Sequence, residues 1–208
     1  MTQTMQSILR AAAGQFLPAV ACATAVLAAV PVSAAPITVN VTQTVLPANC
    51  DLALQDGDMT GGTVDFGTLQ AADLSGAGQV SASKTFNLAL SNCGVNATSV
   101  APHITVAGAS LGTGDDAYLF KTTGTSDGLG FIFRFNGTTV SWASGGADTK
   151  NMQPGDDITT TANTHGAQLP VTWLNQKIPV AVAVSTGARA TQVAGDLQAS
   201  VTFSFEYR

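Results

Sequence analysis

The sequence predicts an all-β sandwich, and three observations carry that expectation. Thr, Ser, Gly, Ala and Val dominate the composition, and the chain has a single Glu. No segment shows Leu, Glu and Lys at sustained helical spacing. Short runs of alternating apolar and polar residues recur instead, punctuated by Gly, Asn and Asp in turn-forming patterns such as Asp56-Gly57-Asp58 and Asn136-Gly137.

The first segment is expected to be a leader. Arg10 supplies a positive charge, residues 11–30 are an almost uncharged stretch of Ala, Val and Leu, and Val32-Ser33-Ala34 places small residues where signal peptidase inspects. Cleavage after Ala34 makes residues 1–34 a signal peptide and leaves residues 35–208, enough for one domain with a real core. A transmembrane anchor fits less well, because the stretch is weakly apolar and no basic stop-transfer cluster follows. The formal net charge of the whole chain is −5, and Arg10 departs with the leader. That balance argues against nucleic acid or an anionic membrane surface as partner.

Next comes an alternating run over residues 37–45. Ile37, Val39, Val41 and Val45 point one way, while Thr38, Asn40, Thr42 and Thr44 point the other. Further strands are expected over residues 63–66, 84–90, 103–107, 117–122, 130–135, 138–142, 177–184 and 198–207. Phe131, Phe133 and Phe135 share one parity, as do Phe203, Phe205 and Tyr207, so each run offers one face to a common core. No strand follows the last run, whose outer edge is therefore expected to stand open to another chain.

Cys22 belongs to the leader, which leaves Cys50 and Cys93. Export places them where thiols oxidise, and a structural disulfide between them is expected. In the chain-entropy model, closing a loop of that length is worth about 4 kcal/mol. No CxxC and no neighbouring His completes a metal site.

Catalytic readings find little support. His103 and His165 are isolated, and no Ser or Cys stands in a nucleophile-elbow setting. Asp115-Asp116 and Asp156-Asp157 lie beside Gly and are expected as solvated loops. Trp142 and Trp173 are expected to anchor the core or cap a sheet, although an exposed Trp would suit a sugar site. No catalytic residue, metal or cofactor is expected.

The order of the motifs carries a resemblance. Asn49-Cys50-Asp51-Leu52, then Val64-Asp65-Phe66-Gly67, then the run from Phe86 to Ser91-Asn92-Cys93 resembles the opening half of type 1 fimbrial pilins of the chaperone-usher pathway. Gly128-Leu129-Gly130-Phe131-Ile132-Phe133 is similar to the family's mid-chain strand, and Ile178-Pro179-Val180 to its late one. Gly195 and the penultimate Tyr207 match the family's closing pattern.

The resemblance implies an immunoglobulin-like β-sandwich lacking its last strand, completed in trans by a periplasmic pilus chaperone and then by the N-terminal extension of the next subunit. Residues 35–49 would be that donor extension and residues 50–208 the pilin domain. Ile37, Val39, Val41 and Val45 would fill a neighbour's groove, and Gly195, Val201, Phe203, Phe205 and Tyr207 would form the edge that the chaperone grips. An outer-membrane usher and neighbouring pilin subunits are the other implied partners, and a cell-surface fimbrium mediating adhesion is the implied destination. Gln43 stands where such extensions commonly carry Gly, and residues 144–176 exceed what a minimal pilin needs. Two alternatives share the architecture: a single-domain adhesin with a carbohydrate site between Trp142 and Trp173, and a spore-coat-U-like secreted biofilm protein.

Overall fold

Period-two alternation and the turns between the runs build nine strands among the described residues. In a computed structural model the described residues are 37–45, 50–93, 100–135, 139–142, 151–158, 166 and 168–208, with side chains described for 37–43 of the first strand. The expectations for residues 1–34, Asn136-Gly137 and His165 lie outside them. The strands are β1 (Ile37–Val45), β2 (Asp51–Gln55), β3 (Met59–Thr60), β4 (Thr63–Gly67), β5 (Lys84–Ser91), β6 (Pro102–Gly108), β7 (Gly130–Phe135), β8 (Lys177–Ser185) and β9 (Leu197–Tyr207). They form a five-stranded sheet in the order β3-β4-β1-β9-β6 and a four-stranded sheet in the order β2-β5-β8-β7. The chain is an all-β sandwich of two sheets, as expected.

The two sheets share one core. From β9, Leu197, Ala199, Val201, Phe203 and Phe205 are buried, while Gln198 and Ser200 between them are exposed. Phe203 meets Phe86, Phe133 and Phe135 of the opposite sheet at centroid distances of 6.0, 6.5 and 5.9 Å. The last two contacts are edge-on, the arrangement that aromatic quadrupoles favour. Cys50 and Cys93 are bonded, closing the end of the β2–β5 pair, where Asp51 is opposite Ser91.

Strand β7 departs from alternation, because all six of its residues are buried. Its outer face is covered by a second apolar cluster in which Ile132, Ala181 and Ala183 meet Leu119 and Val140, with Trp142 packed against them. That cover explains two differences from expectation. Residues 117–122 form no strand: a 3-10 turn, Gly114–Tyr118, is followed by Leu119 in the outer cluster and Phe120 in the main core. The described residues of 138–142 form none either, and Val140 and Trp142 lie over the sheet. Strands β2 and β3 lie outside the expected runs: β3 has only two residues, and β2 begins within the Asn49-Cys50-Asp51-Leu52 motif.

The long stretch after β7 is structural where it is described. The Met152 amide donates to Phe133 of β7, and residues 155–158 run beside β6, exchanging bonds between Gly155 and Val106, Val106 and Asp156, and Ile158 and Ile104 at 2.8–2.9 Å. One segment thus reaches from the edge of one sheet to the edge of the other. Asp156 and Asp157, expected as a solvated pair, belong to this segment and are buried. Flanking Met152 and Ile158, both fully buried, draw the intervening acids inward.

Candidate functional site

The position between β4 and β9 is where the expected donor strand and the expected edge strand meet. β1 occupies it within its own chain. It pairs parallel with β9 along its whole length, from Ile37 opposite Leu197 to Val45 opposite Phe205. On the other side it pairs antiparallel with β4 through Asn40, and the Val41 amide donates to Gly62 in the β3–β4 turn at 3.0 Å. The open edge expected for the last strand is therefore closed, with β1 on one side and β6 on the other.

Alternation in β1 decides what fills the slot. Ile37, Val39 and Val41 are buried in the main core, and Val39 is wholly enclosed. Thr38, Asn40 and Thr42 face away, where the Thr42 and Thr202 hydroxyls share a bond of 2.6 Å and the Thr63 hydroxyl donates to Asn40 Oδ1 at 3.3 Å. Burying each aliphatic is worth about 1.5–3 kcal/mol, an upper range because the unfolded chain hides some of that surface already. The alternation lapses at Gln43, which is exposed although its parity matches Val41. Pairing with β4 ends just before it, so nothing encloses the side chain there. The Val45 side chain lies outside the described residues.

On the edge strand, Val201, Phe203 and Phe205 face the core, and Tyr207 is half-buried with its ring edge-on to Phe205 at 5.0 Å. Burial pushes the Tyr207 hydroxyl above its ordinary pKa, and that oxygen has no hydrogen-bond partner among the described residues. Gly195 lies outside β9, two residues before it begins. A Cβ there would stand 2.5 Å from the Thr125 hydroxyl and 2.6 Å from the Ser126 amide nitrogen, so close approach of two backbones requires glycine.

A polar cluster that sequence reasoning missed holds the other side of β9. Asp157 is fully buried; its Oδ1 accepts from the Thr105 hydroxyl at 3.0 Å, and its Oδ2 accepts from the Gly166 amide at 2.6 Å and from the Arg208 guanidinium at 2.7 Å. Arg208 also donates to Glu206 at 2.6 Å. His103 sits beside this carboxylate, with Nδ1 at 3.6 Å from Oδ1. The available signal was the apolar bracket, Met152 before and Ile158 after the acids, which a solvated loop does not need. Elsewhere Asp116 accepts two bonds from Arg189, and that partnership raises the guanidinium further above its ordinary value.

Neither Trp forms an exposed platform. Trp142 packs on the outer cluster and Trp173 against the main core, both partly buried. Among the described residues no group of three or more His, Cys, Asp or Glu could hold a metal ion.

Residues 39–208 match a family described as fimbrial protein. The match begins inside β1 and runs to the last residue. No curated protein matches the chain significantly.

Proposed function

The chain belongs to the fimbrial protein family, the type 1 pilins, and we propose that it polymerises by donor-strand exchange into a surface fibre that mediates adhesion. Membership makes it a subunit of an extracellular appendage, associated with other pilin subunits. The proposed route runs through the periplasm, on a pilus chaperone and an outer-membrane usher, after removal of residues 1–34. Residues 35–49 are the proposed donor extension.

One observation carries this reading. A single strand with three buried aliphatics, Ile37, Val39 and Val41, fills a slot flanked by two other strands, so the slot is shaped for a strand of that alternation. Main-chain ladders supply pairing to any strand, and alternate side chains supply fit, which is the logic of strand addition between chains. The adhesive role is assigned to the fibre, because both Trp side chains are committed to packing.

Electron microscopy with antibody against this chain tests the proposal. Cells producing Val41→Asp should accumulate chaperone-bound subunit yet display no fibre, since a carboxylate in the donor strand meets an apolar slot. Thr42→Asp, on the exposed side, should still give fibres. Fibres from Val41→Asp would overturn donor-strand exchange.

A further inference from the structure

We infer that residues 151–158 are an edge guard: they occupy the outer edge of β6, which without them would pair with the same edge of a second copy of this chain. The guard stands whether or not subunits join by donor-strand exchange.

Each sheet has two ends. The five-stranded sheet ends in β3 and β6, and the four-stranded sheet in β2 and β7. β3 has two residues, too few to template a ladder, and β2 has five, opening on the charged Asp51. β6 and β7 are longer, with seven and six residues, and one segment covers both. On β7, the Met152 amide donates to Phe133 at 3.0 Å, beside the bonds that Phe120 exchanges with Phe131. On β6, the carbonyls of Pro102, Ile104 and Val106 accept from Leu169, Ile158 and Gly155, and the Val106 amide donates to Asp156. These backbone groups are what a further strand would need, and they are already bonded.

A tight turn carries the segment from one sheet to the other. The Asp156 amide donates to the Gln153 carbonyl at 3.1 Å across Pro154 and Gly155. Pro followed by Gly at φ +93° is the pattern of a type II turn, and an L side chain is strained at that φ. Past the turn, Asp157 is held by Thr105 and Arg208, and Ile158 is buried in the main core. Beneath this cover β6 keeps the alternation of a strand ready to pair, with Ile104 and Val106 buried and Ala107 exposed. Two bare β6 edges set antiparallel would join their sheets through a self-complementary contact about a two-fold axis. In a fibre that contact would run sideways and tie one fibre to the next.

Gly155→Pro tests this on the chain from Ala35 to Arg208, because it forbids the positive φ and removes the donor to Val106. Near-ultraviolet circular dichroism checks folding, and sedimentation velocity reads association. The dimer fraction should rise about tenfold or more over the unmodified chain at equal concentration, the weight of one or two backbone bonds transferred to a partner. Adding Ala107→Lys, a charge on the exposed face of β6, should restore the monomer, while Asn40→Lys on β1 of the same sheet should not. Ile158→Ser loosens the other end of the segment and should give dimers as well. A folded, monomeric Gly155→Pro chain, or dimers indifferent to Ala107→Lys, would overturn the guard and leave donor-strand exchange untouched. Loss of folding in both Gly155→Pro and Ile158→Ser would also overturn it, since the segment would then be part of the core and not a cover.

Discussion

The two sides of β9 are closed by different means. Towards β4 the partner is β1, held by an apolar face and an exposed Thr42–Thr202 bond. Towards β6 the sheet continues into residues 155–158, and the closure is fixed by a buried carboxylate with three named donors. Apolar burial is non-directional, so any strand of the right alternation satisfies the first side. A buried charge is satisfied only by its own partners and is costly without them, so the second side accepts no substitute. An apolar edge and a charge-locked one flank the same strand, and the proposed exchange would act at the first.

Phe205 is where the comparison breaks most severely, because it serves both sides. It is opposite Val45 on β1 and Ile104 on β6, and it is buried. Phe205→Asp should cost more than about 4 kcal/mol, by leaving a cavity and an unpaired carboxylate in the core. Thr202→Asp, on the opposite face of the same strand, should cost far less. Urea denaturation of the two variants decides this, and equal losses would mean the register is displaced by one residue.

Asp157→Ala addresses the permanent side alone. It removes three hydrogen bonds to a charged acceptor, but Arg208 is 41% exposed and regains water. The expected loss is about 2–3 kcal/mol, below the value for a fully enclosed pair. Fibre formation on the cell surface, which the proposal places at the β1 side, should be retained. Loss of fibres from a subunit that still folds would show that the two sides of β9 are mechanically coupled, and the distinction between them would fail.

Legibility in the sequence followed the same division. The first, apolar side is a matter of alternation, and Ile37, Val39 and Val41 or Val201, Phe203 and Phe205 declare their faces in a single chain of letters. What alternation does not encode is which copy supplies the partner, so the edge of β9 reads as open while the fold closes it with β1. The second side depends on contacts between residues far apart in sequence, Thr105 with Asp157 and Asp157 with Arg208. Acidic pairs beside glycine ordinarily sit in water, and only the packing of Met152 and Ile158 draws Asp157 inside. The same applies to Leu119 and Phe120, adjacent residues that serve two different apolar clusters.

Tyr207 gives the smallest and finest test, at the end of the strand where both sides run out. Its ring packs on Phe205, but its hydroxyl is partnerless among the described residues, and burial raises its pKa. Below an ordinary tyrosine value of about 10, folded and unfolded chains both keep the proton, and the group makes no pH-dependent difference. Above it the unfolded chain ionises first, so this contribution to stability is lost as pH rises through the raised folded value. Tyr207→Phe keeps the ring contact and removes the ionisation. At neutral pH its urea midpoint should match the parent or lie slightly above it, within about 1 kcal/mol, since no hydrogen bond is broken. Above pH 10 the parent should lose stability more steeply than the variant. Parallel decline of the two would place the Tyr207 hydroxyl in water, and the end of β9 would then be looser than the packing against Phe205 implies.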